Sequence, residues 1–166
     1  MRLIGGLPHA FHHERRYWVH AAVVVILLQA IVQNFWGFLG YRDAEWTLVR
    51  FAGALAIPGT FQFIAVAAIP DDPARIGSWE EHYFNRRVRL YSGLVCWGCL
   101  IAINDSVLLD MSLLHPARAI QLAVVAVGLS GLASARPVVH QLLVGLMLIA
   151  SAMSAFILML PGATAR

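Results

Sequence analysis

"SWEEHYFNRRVRLYSGLVCWGCLIAINDSVLL", Ser78 to Leu109, changes character part-way along, and that change decides the fold. Its first half holds Glu80, Glu81, His82 and the arginines 86, 87 and 89. From Leu90 onward it runs for about 20 mostly apolar residues, the length that crosses roughly 30 Å of hydrocarbon. Ser78 followed three residues later by Glu81 is a capping-box pattern, so a helix is predicted to begin at Trp79. The glutamates then occupy its first turn and the arginines lie further along, an order that suits the helix dipole. On a 3.6-residue wheel Phe84, Val88, Tyr91 and Val95 form one stripe with Arg87 at its flank, while His82, Arg86 and Arg89 lie opposite. Residues 79–89 therefore read as an amphipathic interfacial lead-in to a span at 90–109, with Arg86, Arg87 and Arg89 among anionic lipid headgroups.

The rest of the chain repeats the apolar half of that segment. Of its 166 residues 60% are hydrophobic and only 13% charged, with a mean hydropathy of +0.71, so the bilayer is the expected solvent. Further apolar stretches run over about 17–40, 51–69, 117–135 and 138–160. The fold class expected is all-α, a polytopic transmembrane helical bundle of about five spans in one membrane domain, residues 1–166. A membrane barrel is excluded because the apolar runs are continuous rather than alternating.

Arginine supplies all twelve basic residues, and its distribution sets the orientation, because positive flanks stay on the cytoplasmic side. With the N-terminus inside, Arg2, Arg15, Arg16, Arg75, Arg86, Arg87, Arg89 and Arg136 face inward, against Arg42, Arg50, Arg118 and Arg166. That balance predicts N-in, C-out. The sixteen residues before the first span, and the lack of a small-x-small site, argue against a cleaved signal peptide. Trp18, Trp36, Trp46 and Trp79 fall near the predicted interfaces, and Trp97 lies deep. Pro137 suits the first turn of the fifth helix, and Pro58 should kink the second. Small residues at helical spacing, Ala126, Ser130 and Ser134 with Ala150, Ser151, Ser154 and Ala155, offer faces for close packing in lipid.

The succession "NFWGFLGYRDAEWTLVRF", a proline in the next span, the exit "IPDDP" and then "EEHYFNRRVRLY" resembles a family of small bacterial multi-span inner-membrane proteins without an established activity. The resemblance covers about Tyr17 to Trp97. Members carry one more span before "RRYWVH", and "MRLIGGLPHAFHHE" resembles the tail of that helix. The family implies the bacterial inner membrane and a helical bundle, and supplies no catalytic residues.

Candidate chemistry is sparse. "CWGC" places Cys96 and Cys99 at i and i+3, a spacing that lets a helical dithiol form and work with quinone. Opposing that reading, no basic residue is near in sequence to lower a thiol pKa, and cysteine is also a small buried hydrophobe. Asp105 with Asn104 matters on energetic grounds, since a carboxylate within a span costs about 2.5–3.5 kcal/mol and tends to face a cavity, a partner or an ion pathway. Gln29, Gln33, Asn34 and Gln62 can add interhelical polar contacts. His20 and His140 share a predicted depth and could ligate a haem b or a metal. His12, His13 and Glu14 with Glu80, Glu81 and His82 make a further conceivable metal cluster. There is no Gly-rich phosphate loop, nucleophile elbow or zinc-protease motif.

The expectation is thus an integral inner-membrane bundle without an assigned reaction or cofactor, acting through lateral association with itself or another membrane protein. Two alternatives stand beside it, a small transporter or ion conductor using Asp105 and Asn104, and an oxidoreductase using haem or the Cys96/Cys99 dithiol with quinone. Membrane lipids are the expected partner, with a second copy or another membrane protein beside them. Nucleic acid is not, because the arginines are spread rather than clustered on one soluble face.

Overall fold

The computed structural model describes residues 17–159, and among these it is helical with no strand. Five helices follow one another: α1 (Trp18–Phe38), α2 (Leu48–Ala68), α3 (Trp79–Leu108), α4 (Ala117–Ala133) and α5 (Pro137–Met159). Short 3-10 turns follow α1 and precede α3. Four helices, all but α4, are long and apolar enough to cross a bilayer, and α4 is shorter at 17 residues. The chain is accordingly an integral membrane helical bundle. His12, His13, Glu14 and the arginines 2, 15, 16 and 166 lie outside the described residues.

Local chemistry sets the helix starts. Ser78 Oγ accepts from the Glu81 N–H at 3.3 Å, so α3 begins where the capping pattern places it. Thr47 Oγ1 does the same for the Arg50 N–H at 3.3 Å, which starts α2 at Leu48, three residues before the predicted Phe51. The lead-in 79–89 and the span 90–109 are one continuous helix of 30 residues, about 45 Å long. It ends at Leu108, and just beyond it Asp110, with a φ of 48°, turns the chain so that the Met111 N–H reaches the Asp105 carbonyl at 3.1 Å. Pro58 lies within α2 without ending it.

The bundle is built around α3, which packs most heavily on α4 and α2, while α5 lies against α1. Close approach relies on glycine. A Cβ at Gly131 would stand 2.2 Å from the Tyr91 ring, and one at Gly128 would stand 2.6 Å from Val95. These glycines make the α3–α4 contact. Of the small residues read from the sequence as a close-packing face of this helix, Ala126 and Ser130 are exposed and Ser134 is half-buried.

Burial is inverted relative to a water-soluble protein. His20, Asn104, Arg118, Gln121 and His140 are inside, whereas Val32, Phe35, Leu48, Val49, Leu142 and Phe156 are exposed. Lipid tails accept such a surface without penalty, and the interior gathers whatever needs a hydrogen bond. Of the stripe read from the wheel, Tyr91 is buried, Phe84 and Val95 are half-buried and Val88 is exposed; Trp79, Tyr83, Leu90 and Leu94 are buried as well, because the helix meets neighbours on two sides rather than one. Trp79 is only 1% exposed, so it belongs to the core, while Trp18, Trp36 and Trp46 remain on the surface.

Candidate functional site

Polar side chains collect at the two ends of α3 and almost nowhere between. At the end nearest Asp105, a chain of hydrogen bonds joins three elements. Tyr41 Oη donates to Asp105 Oδ1 at 2.6 Å, and Gln121 Nε2 donates to Asp105 Oδ2 at 2.6 Å. Gln121 Oε1 in turn accepts from Arg118 Nη1 at 2.8 Å. An ionised carboxylate only accepts, and both of its partners here are donors. Short bonds of this kind are the strong, charge-assisted class.

Arg118 is buried and fully occupied. Its remaining donors reach the Ala102 and Met111 carbonyls at 2.7 and 2.8 Å, Ser106 Oγ at 2.6 Å and the Ser112 carbonyl at 3.4 Å. It pins the α3–α4 connection to the last turns of α3. Asn104 faces α2 instead, donating to the Gly53 carbonyl at 3.2 Å and to Leu100 at 2.9 Å. Asn104 and Asp105 are therefore neighbours in sequence with different surroundings.

Beside Asp105 a crevice of about 360 Å³ opens between α1, α2 and α3. Phe38, Tyr41 and Trp97 line it with Asp105, Gln33 and Asn34, over an apolar floor that includes Ile57. Gln33 Nε2 and Trp97 Nε1 are buried without a hydrogen-bond partner among the described residues. The crevice thus combines one carboxylate, three aromatic rings and spare donors.

At the opposite end His140 and two tyrosines form a closed group. The His140 Nε2–H donates to the Ser134 carbonyl at 2.8 Å, which leaves Nδ1 as an acceptor. Tyr83 Oη and Tyr91 Oη each lie 3.0 Å from that nitrogen and 2.8 Å from each other. Arg87 donates to the same Ser134 carbonyl, so it turns into the bundle rather than outward with Arg86 and Arg89. His20 is also fully buried, stacked on Trp79 at 4.5 Å, with neither ring nitrogen hydrogen-bonded among the described residues. Both histidine rings stand nearly perpendicular to the ring of Tyr83, with centroids 6.4 Å away for His20 and 5.5 Å for His140. An axial bond from His140 to haem would have to displace one of its hydrogen bonds.

Among the described residues no three His, Cys, Asp or Glu side chains gather as metal ligands. Cys96 and Cys99 are free thiols on the exposed flank of α3. Gln29 acts as an interhelical link: Ser151 Oγ donates to its Oε1 at 2.6 Å, and its Nε2 donates back to the Ser151 carbonyl. Sequence reading missed Tyr41, Gln121 and the inward role of Arg118. The available signal was Arg118 and Gln121, three apart on one helix face at the start of a span.

No protein-family model, curated protein or solved structure matches this chain.

Proposed function

We propose that this protein is a non-catalytic binding or carrier protein of the bacterial inner membrane, and that it takes a lipophilic organic ammonium cation in the Asp105 crevice. The observation that carries the reading is the lining itself, a carboxylate held by Tyr41 and Gln121 beside Phe38, Tyr41 and Trp97. A cation is attracted to the electron-rich faces of aromatic rings and neutralises a carboxylate, and apolar walls suit its organic substituents. The volume falls within the range of small-molecule sites, about 300–1,000 Å³. An ionisable group within a membrane bundle points to function for the same reason that it is costly there.

Two other readings have less support. Continuous ion conduction through Asp105 and Asn104 draws less support, because the buried residues between the two polar ends include the apolar Leu27, Ile64, Leu90 and Leu94, which offer an ion no polar contact. Lateral association needs no invoking to cover the exposed apolar faces, since lipid tails already do so.

The test uses the purified chain in detergent or nanodiscs, titrated with benzyltrimethylammonium and with its neutral carbon isostere while tryptophan fluorescence is followed. The cation should bind and the isostere should not. Asp105→Asn should weaken binding by about 1.5–3 kcal/mol, roughly tenfold to a hundredfold. Trp97→Phe should remove most of the signal and leave binding detectable by calorimetry. Equal binding of cation and isostere, or an unaffected Asp105→Asn variant, rejects the proposal.

A further inference from the structure

A second cavity lies at the other end of α3, on the outer flank where α2 leaves the bundle. It holds about 160 Å³, and Arg86, Arg89 and His82 line one side. These residues are spaced i, i+4 and i+7, so one face of α3 presents all three. Phe63 and Val66 of α2, both substantially exposed, form the facing wall, and Asp71 sits at the mouth. The His82 Nε2–H donates to the Ala68 carbonyl at 3.2 Å, which ties the imidazole to the end of α2 and fixes the cavity's shape.

The arginines of this segment have separate fates. Arg87 is committed to the Ser134 carbonyl. Arg86 and Arg89 make no side-chain hydrogen bond or ion pair with any described residue, although Arg86 is half-buried. Two guanidinium groups whose donors meet no acceptor among the described residues, against one carboxylate in the lining, give the cavity a net positive charge.

We propose that this cavity is a discrete phosphate site, with Arg86 and Arg89 gripping the oxygens of a phosphate ester, and that its natural occupant is the headgroup of an anionic phospholipid. Guanidinium matches phosphate geometry through paired N–H donors, better than a point charge can. Basic recesses between membrane helices at the cytoplasmic surface are suited to anionic headgroups. The apolar wall adds what a free anion does not need: Phe63 and Val66 continue from the basic mouth along the lipid-facing flank, where an acyl chain can lie. The site is independent of the Asp105 crevice, at the opposite end of the same helix.

The experiment is native mass spectrometry of the detergent-purified full chain, with thermal unfolding in parallel. Dioleoyl phosphatidylglycerol, dioleoyl phosphatidylcholine and inorganic phosphate are the three probes. One phosphatidylglycerol per chain should be retained, with a raised unfolding temperature, and phosphatidylcholine should bind at least tenfold more weakly. The double variant Arg86→Gln, Arg89→Gln should lose that selectivity, the Arg86→Lys, Arg89→Lys variant should recover part of it, and Arg136→Gln, a substitution at another exposed arginine of the same end, should keep all of it. If inorganic phosphate protects as well as the lipid does, and also fails on the glutamine variant, the site is upheld with free phosphate as its occupant and the lipid assignment falls. If phosphatidylglycerol and phosphatidylcholine bind alike, or if the folded glutamine variant retains full selectivity, there is no phosphate site here.

Discussion

Arg118 carries a charge, yet its guanidinium spends all five N–H groups on neutral oxygens and reaches Asp105 only through the amide of Gln121. Such an arrangement makes the side chain a fastener rather than half of an ion pair. Removing it strands buried acceptors, and each stranded buried group costs about 1–3 kcal/mol. Arg118→Leu should therefore destabilise the bundle by about that amount or more in denaturant unfolding from mixed micelles. Arg118→Lys should recover only part, because three donors on a flexible stem cannot span five fixed acceptor sites. A neutral outcome for Arg118→Leu would mean that the connection after α3 holds itself. Sequence inspection counted this residue as an outward topology marker, since nothing local distinguishes a buried arginine from a snorkelling one. The distinction lies in Ala102, Ser106 and Met111, which only the turn at Asp110 brings within reach.

At the scale of helices, legibility tracks how local the cause is. All five helices were foreseen, because a membrane span is written as a run of apolar residues, and Ser78 marked the start of α3 through a contact three residues away. The facing of each helix was not legible in the same way. Lipid is as apolar as the core, so periodicity cannot tell inside from outside, and the one apolar stripe of the lead-in holds both the buried Tyr91 and the exposed Val88. Glycine was the missed signal. Since a Cβ at Gly131 would overlap the Tyr91 ring, Gly131→Ala should push Tyr91 off His140 and cost about 1–3 kcal/mol by overpacking. Gly145→Ala, with nothing within 4 Å of the added Cβ, should be neutral or slightly stabilising in the same unfolding assay. The α1–α5 contact has a different fastening, the reciprocal pair of Gln29 and Ser151. A double-mutant cycle with Gln29→Leu and Ser151→Ala should return a coupling of about 0.6–1.7 kcal/mol, and additivity would show that the pair is incidental.

For the whole molecule the open number is that of crossings, and α4 decides it. At 17 residues it spans about 26 Å, slightly short of the hydrocarbon core. Its position compensates for its length. Arg118 at its start is bonded to Ser106, and the Ser134 carbonyl just past its end is bonded to Arg87, so α4 runs antiparallel along about 28 Å of α3. A helix that accompanies a spanning neighbour over that distance crosses with it. Arginine placement agrees: Arg75, Arg86, Arg87, Arg89 and Arg136 share one end, against Arg42, Arg50 and Arg118 at the other. The consequence can be tested away from the chain termini. In a Cys96→Ala, Cys99→Ala background, which should fold normally because both thiols are free and exposed, single cysteines at Leu114→Cys and Ala135→Cys flank α4. With five crossings, an impermeant maleimide applied to spheroplasts should label position 114 and spare position 135 until the membrane is opened. Labelling of both positions from outside, or of neither, would place the two ends of α4 on one side of the bilayer. The arrangement would then be four crossings with α4 folded back against them.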